Sequence, residues 1–560
     1  MIDIRETSTV GEVFFEAAAR YGDQPFLAAP ANPARAYAPQ GLEWTYAQTA
    51  TAVRGLMARY ASAGYGVGHR VGLLLENRLE HFLHKLAMNA LGVCCVPLNP
   101  DHRPQEMAYV VGHAQLDLVV VLDGLLPLLQ QAISLGTHRP AVVALQEAEL
   151  ALPPPTRRAT STQAEAASVA SVLYTSGTTG RPKGCLLSHR YELAAGRWYA
   201  TRGGLMAFGE ACERIYNPLP VFHVNASVFS FYCALLKGNC QVQTDRFQPS
   251  RWFTEVHESR ATVVHYLGVV VPMLLNQPPH ALERNHQVRF AIGAGVDPQR
   301  HAAFEQRFGY PLIEIWGMTE YVRAIFDADE PRQVGTRAIG RAQPGLEVRV
   351  ASDAGEDVPD GMPGELLVRH SAATPRKNAF SGYLHDDAAT EDAWRGGWFH
   401  TGDIVVRDPD GLLHFLERRK NIIRRSGENI AAAEVEAVLQ THPAVAQAAV
   451  LAVKDEVREE EVLACVVLKP GYVARPDADD PLVCALFEHC NRLLSYFKAP
   501  GWLLFTHEIP TTGTQKVQKH QLFSAGVDPR TAPGVIDLRH RKKRDKPPEN
   551  GATATQRKRT

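Results

Sequence analysis

The chain has 560 residues, 45% hydrophobic and 21% charged, a composition typical of a globular protein too long for one ordinary domain. Its formal net charge of −1 provides no field that favours nucleic acid or an anionic membrane. The cysteines show no paired CxxC spacing, so zinc is not predicted, and no apolar run reaches the about 18 residues that a membrane span needs. Scattered cysteines and the lack of a signal-peptide pattern predict a cytoplasmic protein without a nucleic-acid partner or a membrane span.

Helix and strand patterns alternate in the first part of the chain. Residues 47–63 have helical spacing, residues 71–75 form a short apolar run, residues 80–91 are again helical, and residues 92–98 form a second apolar run. Such alternation predicts a sheet with helical crossovers. Residues 153–168 are rich in Pro, Thr, Ser and Ala, which indicates a surface connection.

A loop rich in glycine and hydroxyl groups follows the apolar residues 169–174. The loop contains Thr175, Ser176, Gly177, Thr178, Thr179, Gly180 and Lys183. Glycine lets backbone N–H groups approach a ligand, and hydroxyls and lysine donate to phosphate oxygens. A helical pattern starts after Ser188, a residue type suited to an N-cap. A strand, this loop and a helix together predict a nucleotide phosphate site, although the loop lacks the Gly-Lys-Ser/Thr of the Walker pattern.

Three further motifs carry groups that suit a nucleotide. Thr319 and Glu320 follow an apolar strand pattern, and they could serve a phosphate oxygen and a hard cation. The small residues 293–295 would let a flat base or an acyl group approach the backbone. Asp403 could accept both hydroxyls of a ribose. Each motif alone is also compatible with an ordinary turn or capping residue.

Helix and strand patterns after residue 420 predict a small α+β module. Residues 433–439 and 482–494 have helical spacing, whereas residues 446–453 and 462–468 are strand-like. The end of the chain is dominated by Arg and Lys without apolar periodicity, which predicts a disordered, solvated tail. The expected division is a large domain over 1–419, a small lid domain over 420–530 and a basic tail over 531–560.

Taken together, these strings resemble the signature motifs of the adenylate-forming superfamily, which includes acyl-CoA synthetases, luciferases and adenylation domains. The motifs occur in the family's order across residues 174–516. The resemblance implies an α/β fold with a large, multi-subdomain N-terminal domain and a small, mobile α+β C-terminal domain. It also implies a reaction in which a small carboxylic acid and ATP, with Mg²⁺, give acyl-AMP and pyrophosphate. Coenzyme A then accepts the acyl group.

The resemblance assigns a nucleotide-binding role to each matching residue. The loop of residues 175–183 would hold the β- and γ-phosphates, Thr319 the α-phosphate, and Glu320 the Mg²⁺ ion. Adenine would lie against Gly293, Ala294, Gly295 and Trp316. Trp316 stands where the family usually has Tyr. The ribose would contact Asp403 and Arg418, and Lys420 would be the pivot between the two domains.

The predicted catalytic residues are Lys516, Thr319, Glu320 and His223. Lys516 would act in adenylation, although Gln515 stands where the family has Gly, and Lys519 is its nearest rival. Gly427 would line the path of the thiol. His223, in a string that resembles the crotonobetaine/carnitine-CoA ligase subgroup, would gate the acyl and pantetheine paths.

The identity of the acid is not predicted beyond its class. No acidic residue lies between Ile215 and Gly238, which argues against an amino acid substrate. The apolar residues 269–275 indicate a partly hydrophobic pocket. Two alternatives stay open: an enzyme that loads a carrier protein with the activated acid, and a catalytically silent nucleotide-binding protein.

Overall fold

The computed structural model describes residues 1–544 apart from 149–150, 162, 176–180, 269, 353, 419–421, 511–518 and 525–526. The described α-helices, in chain order, are α1 (Val10–Tyr21), α2 (Tyr46–Ala63), α3 (Leu79–Ala90), α4 (Pro104–Ala114), α5 (Leu126–Leu135), α6 (Leu145–Ala148), α7 (His189–Ala200), α8 (Phe231–Lys237), α9 (Trp252–Glu258), α10 (Val270–Leu275), α11 (Pro298–Phe308), α12 (Asp387–Ala393), α13 (Ala432–Gln440) and α14 (Pro481–Leu493). None of these helices is both long and apolar enough to span a lipid bilayer.

The strands form four sheets. Those up to residue 326 are β1 (Pro25–Ala29), β2 (Leu42–Thr45), β3 (Arg70–Leu74), β4 (Cys94–Pro97), β5 (Leu118–Val121), β6 (Ala141–Ala144), β7 (Val169–Thr175), β8 (Lys183–Ser188), β9 (Arg214–Asn217), β10 (Cys240–Gln243), β11 (Val263–His265), β12 (Phe290–Gly293), β13 (Leu312–Met318) and β14 (Tyr321–Phe326). The later strands are β15 (Ala338–Gly340), β16 (Glu347–Ala351), β17 (Gly364–Arg369), β18 (Gly382–Tyr383), β19 (Phe399–Arg407), β20 (Leu413–Arg418), β21 (Ile422–Arg425), β22 (Glu428–Ala431), β23 (Val445–Asp455), β24 (Glu459–Leu468), β25 (Trp502–Phe505) and β26 (Ile536–Asp537).

Two mainly parallel sheets build the core of the large domain. One has the order β14-β13-β12-β11-β9-β10-β1-β2, and the other has the order β18-β8-β7-β4-β3-β5-β6. Strands β3, β4 and β5 are apolar along nearly their whole length because helices cover both faces of a parallel sheet. The alternation predicted for residues 47–98 is therefore present as α2, β3, α3 and β4.

Residues 338–418 add an antiparallel sheet in the order β15-β20-β19-β17-β16. Its central strand β19 carries Asp403 opposite Arg418 of β20. The side chain of Arg418 lies outside the described part of the chain. This sheet places the predicted ribose carboxylate beside the end of β13.

The small domain has its own sheet and core. Strands β22, β21, β24, β25 and β26 follow one another, and β23 pairs with β24. Its core extends from Ile423 to Leu538, so residues beyond 530 belong to the fold. The expectation of a disordered tail from residue 531 differs from the structure over residues 531–544. In that segment β26 pairs with β25, and the Lys542 ammonium is buried against Glu461.

The segment after the phosphate loop also differs from the sequence prediction. A strand that was not predicted, β8, lies between the loop and the helix, while α7 begins at His189 directly after its N-cap Ser188, as predicted. Thr175 pairs with Lys183 across the β7–β8 hairpin, so both ends of the loop are fixed by one antiparallel ladder. The reason is local: the middle of β8, residues 184–187, is apolar and mostly buried, which suits a strand before Ser188 caps the helix.

Candidate active site

One cavity collects most of the described residues that the motifs predict. It has a volume of about 260 Å³ and includes residues from both large-domain sheets and from the small domain. The predicted residues that line it are Thr175, Lys183, His223, Gly293, Ala294, Thr319, Glu320 and Gly427. A neighbouring cavity of about 390 Å³ is lined by Ala294, Gly295 and Trp316. The predicted residues 176–180, Lys420 and Lys516 lie outside the described part of the chain.

Glu320 lies at the floor of this cavity, where its carboxylate is held by a tyrosine. The Tyr383 hydroxyl donates to Glu320 Oε1 at 2.9 Å, and the backbone N–H of Phe380 donates to the Glu320 carbonyl at 3.1 Å. Burial and the Glu320 carboxylate raise the pKa of Tyr383, so its hydroxyl stays a neutral donor. The glutamate lines the cavity and is held there by both hydrogen bonds.

The residues around Glu320 fit a magnesium ion shared with a triphosphate. Mg²⁺ is commonly bound by one or two carboxylates together with substrate phosphates rather than by an all-protein cage. Glu320 and the neighbouring Thr319 line the cavity. Within the described residues, no group of three His, Cys, Asp or Glu side chains could hold a metal without such help.

Lys183 stands at the far end of the phosphate loop, close to the same tyrosine. Its Nζ lies 3.6 Å from the Asp386 carboxylate and 4.7 Å from the centre of the Tyr383 ring. The contact with Asp386 is partly exposed. A phosphate could therefore compete for this ammonium without leaving a deeply buried charge behind.

The turn at residues 293–296 is organised by a carboxylate that the sequence motifs did not reveal. Glu314 accepts the backbone N–H groups of Gly295 and Val296, each at 3.0 Å, and the Tyr266 hydroxyl at 3.0 Å. Burial raises the pKa of Glu314. A Cβ on Gly293 would lie 2.3 Å from the Tyr266 carbonyl oxygen, so only glycine fits there.

Trp316 and Asp403 contact each other directly. The indole Nε1–H donates to Asp403 Oδ2 at 2.8 Å, and both side chains are buried. Thr401 accepts the backbone N–H of Asp403 at 3.0 Å. The replacement of the family's usual Tyr by Trp thus keeps a ring in place and adds a donor that positions the predicted ribose carboxylate.

The small domain closes the other side of the cavity. Gly427 lines the cavity in a left-handed conformation with φ of +88°. The next residue, Glu428, places its carboxylate 3.6 Å from Nε2 of His223. Burial alone would raise the pKa of Glu428, but the imidazole of His223 holds it below its usual value. The predicted gate residue and the predicted thiol path therefore meet in this orientation of the domains.

A second carboxylate of the small domain reaches the turn at residues 293–296. Glu459, at φ of +76°, lines both cavities, and its Oε1 lies 2.9 Å from where a Cβ of Gly295 would be. Burial raises the pKa of Glu459 to about 7. The charged groups that face it are Arg424, Glu460, Glu314 and Arg337.

A buried ionic cluster joins the two domains beside the cavity. Lys498 of the small domain donates to Glu434 at 2.9 Å and to Glu106 of α4 at 2.5 Å. The Ser495 hydroxyl donates to the same Glu106 carboxylate at 2.6 Å. Burial alone would raise the pKa of Glu106, but Lys498 holds it below its usual value.

Sequence motifs missed Tyr383, Glu314, Glu459 and Glu106. None stands in a recognisable string, and their roles arise from contacts between segments far apart in sequence. A usable signal existed only for Glu314, which lies two residues before Trp316 and points to the same side of β13.

Comparisons with known proteins agree with this geometry. Residues 14–384 match the AMP-binding enzyme family, and residues 434–516 match the AMP-binding enzyme C-terminal domain. The chain is 31% identical over 531 residues to sulfoacetate–CoA ligase of Cupriavidus necator, covering 92% of this chain and 97% of that protein. It is 27% identical over 480 residues to crotonobetaine/carnitine–CoA ligase of Escherichia coli O157:H7, with coverages of 83% and 90%.

Among solved structures, o-succinylbenzoate CoA synthetase from Bacillus subtilis, bound with a product analogue, superposes with a TM-score of 0.78. Identity is 22%, and the match covers 92% of this chain and 98% of that one, so it shows a shared fold. These matches confirm the predicted superfamily and fold class. The chain belongs to the AMP-binding enzyme family.

Proposed function

We propose that the protein is an ATP-dependent carboxylic acid–CoA ligase that forms acyl-AMP and then acyl-CoA. The observation that carries the proposal is one cavity lined by Lys183, Thr319 and Glu320 of the large domain and Gly427 of the small domain. Phosphate-binding groups and the predicted thiol path thus share one reaction site. The CoA ligase relatives support the same chemistry.

In the first half-reaction, the carboxylate of the acid attacks the α-phosphorus of ATP and expels pyrophosphate. The loop of residues 175–183 holds the outer phosphates, and Thr319 donates to an α-phosphate oxygen. Bound at Glu320, Mg²⁺ supplies positive charge that offsets the developing charge on the phosphates. Lys516, assigned from its motif, brings a further cation to the reacting centre. Such chemistry rests mainly on positioning and charge stabilisation.

In the second half-reaction, the thiol of coenzyme A attacks the acyl carbonyl and AMP leaves. The orientation of the small domain in this structure suits that step, because Gly427 and His223 line the same cavity and the Glu428 carboxylate lies 3.6 Å from His223. Lys516 serves the other orientation, with a pivot at Lys420. A hinge of this kind exchanges two faces of the small domain without rebuilding the nucleotide site.

We further propose that the acid is small and polar rather than a long-chain fatty acid. His223 and Asn225 bring polar side chains to the cavity, where they could contact a polar or charged group of the acid. The curated relatives, by their names, act on sulfoacetate and on crotonobetaine or carnitine, which are small and charged.

The test is pyrophosphate release over a panel of acids, with sulfoacetate, a betaine, a short aliphatic acid, an aromatic acid and a long-chain acid. We expect turnover with a small polar acid and acyl-CoA formation when coenzyme A is added. Tight ATP binding without turnover on any acid would favour the silent nucleotide-binding protein. Transfer to a phosphopantetheinylated carrier protein but not to coenzyme A would favour the carrier-loading enzyme.

Lys516→Ala tests the proposed division of labour. We expect it to abolish most acyl-AMP formation while sparing thioester formation from supplied acyl-AMP. Lys519→Ala is the matched control, since Lys519 pairs with Glu436 within the small domain. An equal loss in both half-reactions for Lys516→Ala would contradict the assignment.

A further inference from the structure

A second, strongly basic cavity lies on the large domain, away from the catalytic cavity. Its volume is about 350 Å³, and it shares no lining residue with the catalytic cavity. It is bordered by the N-terminal segment, helix α7, strand β14 and the turn at residues 377–378. The basic residues that line it are Arg5, Arg190, Arg197, Arg202, Arg323 and Lys377.

The charge of this cavity is almost uncompensated. Glu6 is the single acidic residue that lines it, and its carboxylate pairs with Lys377 at 2.8 Å. Across the described residues, no carboxylate lies within ion-pair distance of any of the five arginines. In a chain whose formal net charge is −1, this is a local excess of positive charge, which the carbonyl groups, the Glu6 carboxylate and the more distant Asp329 offset only in part.

The arginines are held by carbonyl oxygens, so their remaining N–H groups are available to a ligand. Arg190 Nε donates to the Glu6 carbonyl at 3.2 Å, Arg202 Nε to the Trp198 carbonyl at 2.8 Å, and Arg323 Nη1 to the Lys377 carbonyl at 2.7 Å. Each guanidinium has five N–H donors, and one or two such bonds fix its plane without using the others.

Arg323 gives the strongest physical reason for a missing partner. It is only 6% exposed, and burial lowers its pKa. A buried guanidinium without a carboxylate is costly unless hydrogen bonds or an anion compensate it. The Lys377 carbonyl, the Tyr321 side chain, whose hydroxyl opposes the effect of burial on the pKa, and the Trp198 ring at 5.8 Å from the guanidinium carbon offset only part of the charge.

Helix α7 presents one continuous stripe to the cavity. Arg190, Ala194 and Arg197 are spaced at helical intervals, and they line the cavity together with Thr201, which directly follows the helix. The small Ala194 between the two arginines leaves room for a ligand to lie against the helix. Guanidinium forks match the geometry of phosphate oxygens and bind them in a bidentate manner.

We propose that this cavity is a binding site for a small phosphate-bearing polyanion, with inorganic pyrophosphate as the simplest representative. Several arginines around one concave site favour a ligand with more than one anionic group. The volume lies near the lower end of the about 300–1,000 Å³ that is usual for small-molecule sites. The site shares no lining residue with the catalytic cavity, which Thr175 and Lys183 line.

The experiment is calorimetric titration of inorganic pyrophosphate into the full chain in magnesium-free buffer. We expect two binding events in the wild-type protein. The event at the catalytic site should be lost in Lys183→Gln, and the event at the basic cavity should be weakened in the double variant Arg190→Gln with Arg197→Gln. The second event should weaken by about tenfold or more, the equivalent of about 1.4 kcal/mol. The double variant Arg54→Gln with Arg59→Gln removes the same charge from helix α2 and should retain both events.

Two events that persist unchanged in the Arg190/Arg197 variant would overturn the proposal, as would a single wild-type event that Lys183→Gln abolishes. Binding to vesicles of anionic lipid without binding of pyrophosphate would also overturn it. A thermal melt without ligand checks that the variant is folded. If the Arg190/Arg197 variant is not folded, the double variant Arg5→Gln with Lys377→Gln tests binding at the basic cavity instead, because both of these side chains are exposed.

Discussion

Glu106→Gln should separate the two half-reactions, because Glu106 belongs to the large domain while its ionic partners belong to the small domain. Its carboxylate accepts Lys498 and Ser495, and all three side chains are buried. Glutamine keeps the size of the side chain and an acceptor oxygen but removes the charge. A hydrogen bond to a charged group contributes about 1.5–3 kcal/mol. The docked orientation should therefore lose about 10- to 100-fold in population, at about 1.4 kcal/mol for each factor of ten.

The assay measures each half-reaction alone. Pyrophosphate exchange reports acyl-AMP formation, and release of AMP from supplied acyl-AMP and coenzyme A reports thioester formation. We expect thioester formation to fall by about 10- to 100-fold, with exchange close to wild type. The matched control is Lys469→Gln, which removes a charge from an exposed position of the small domain.

A double-mutant cycle makes the reasoning refutable. If the docked orientation depends on this ion pair, Lys498→Met in the Glu106→Gln background should cost less than Lys498→Met alone. Strict additivity of the two losses would refute the interdomain role. So would an equal fall of both half-reactions with an unchanged melting temperature, because the orientation in this structure would then serve both steps.

Further outcomes follow from single contacts in the cavity. Burial raises the pKa of Glu459 to about 7, so protonation of this carboxyl favours docking of the small domain. The favourable contribution of the proton is complete below pH 4.5, the ordinary pKa of a glutamate, and it is lost as the pH rises through about 7. Thioester formation should therefore decline with pH by up to about tenfold per unit over that interval, and Glu459→Gln should flatten the profile. Gly427→Ala should slow thioester formation about 5- to 30-fold, measured as AMP release, because φ is +88° and a Cβ would lie 2.3 Å from a Leu267 methyl. Trp316→Phe removes the hydrogen-bond donor to Asp403 and should weaken ATP binding by about 1–3 kcal/mol in a calorimetric titration. If both Trp316→Phe and Asp403→Ala bind ATP with unchanged affinity, Asp403 does not bind the ribose.

The sequence predicted regular elements well where the pattern was long and amphipathic or wholly apolar. Helix α2, predicted over 47–63, spans Tyr46–Ala63, and helix α14, predicted over 482–494, spans Pro481–Leu493. Strand β8, which follows the loop and pairs with β7, was missed because the run Lys183–Ser188 is short. A short apolar run gives no period that separates a strand from the start of a helix.

The site was predictable where one segment carries the chemistry and unpredictable where two distant segments share it. Thr319 and Glu320 are adjacent in sequence and also line one cavity. By contrast, Glu106 accepts hydrogen bonds from Lys498 and Ser495 of the other domain, and no property of its own segment indicates those partners. Residues of this second kind fix where a loop or a domain lies, so a substitution there can change activity without touching a ligand.

The C-terminal segment shows why composition misleads at a domain edge. A run rich in Arg and Lys predicts solvated chain because isolated charges are costly to bury. Here Lys542 donates to Glu461 at 2.6 Å and to the Phe497 carbonyl at 2.9 Å, and Arg425 donates to the same glutamate at 2.7 Å. Two cations share one buried carboxylate, so removal of Lys542 leaves a complete Arg425–Glu461 pair. The segment is therefore held by burial and strand pairing as much as by charge, and its basic residues are anchors of the small domain.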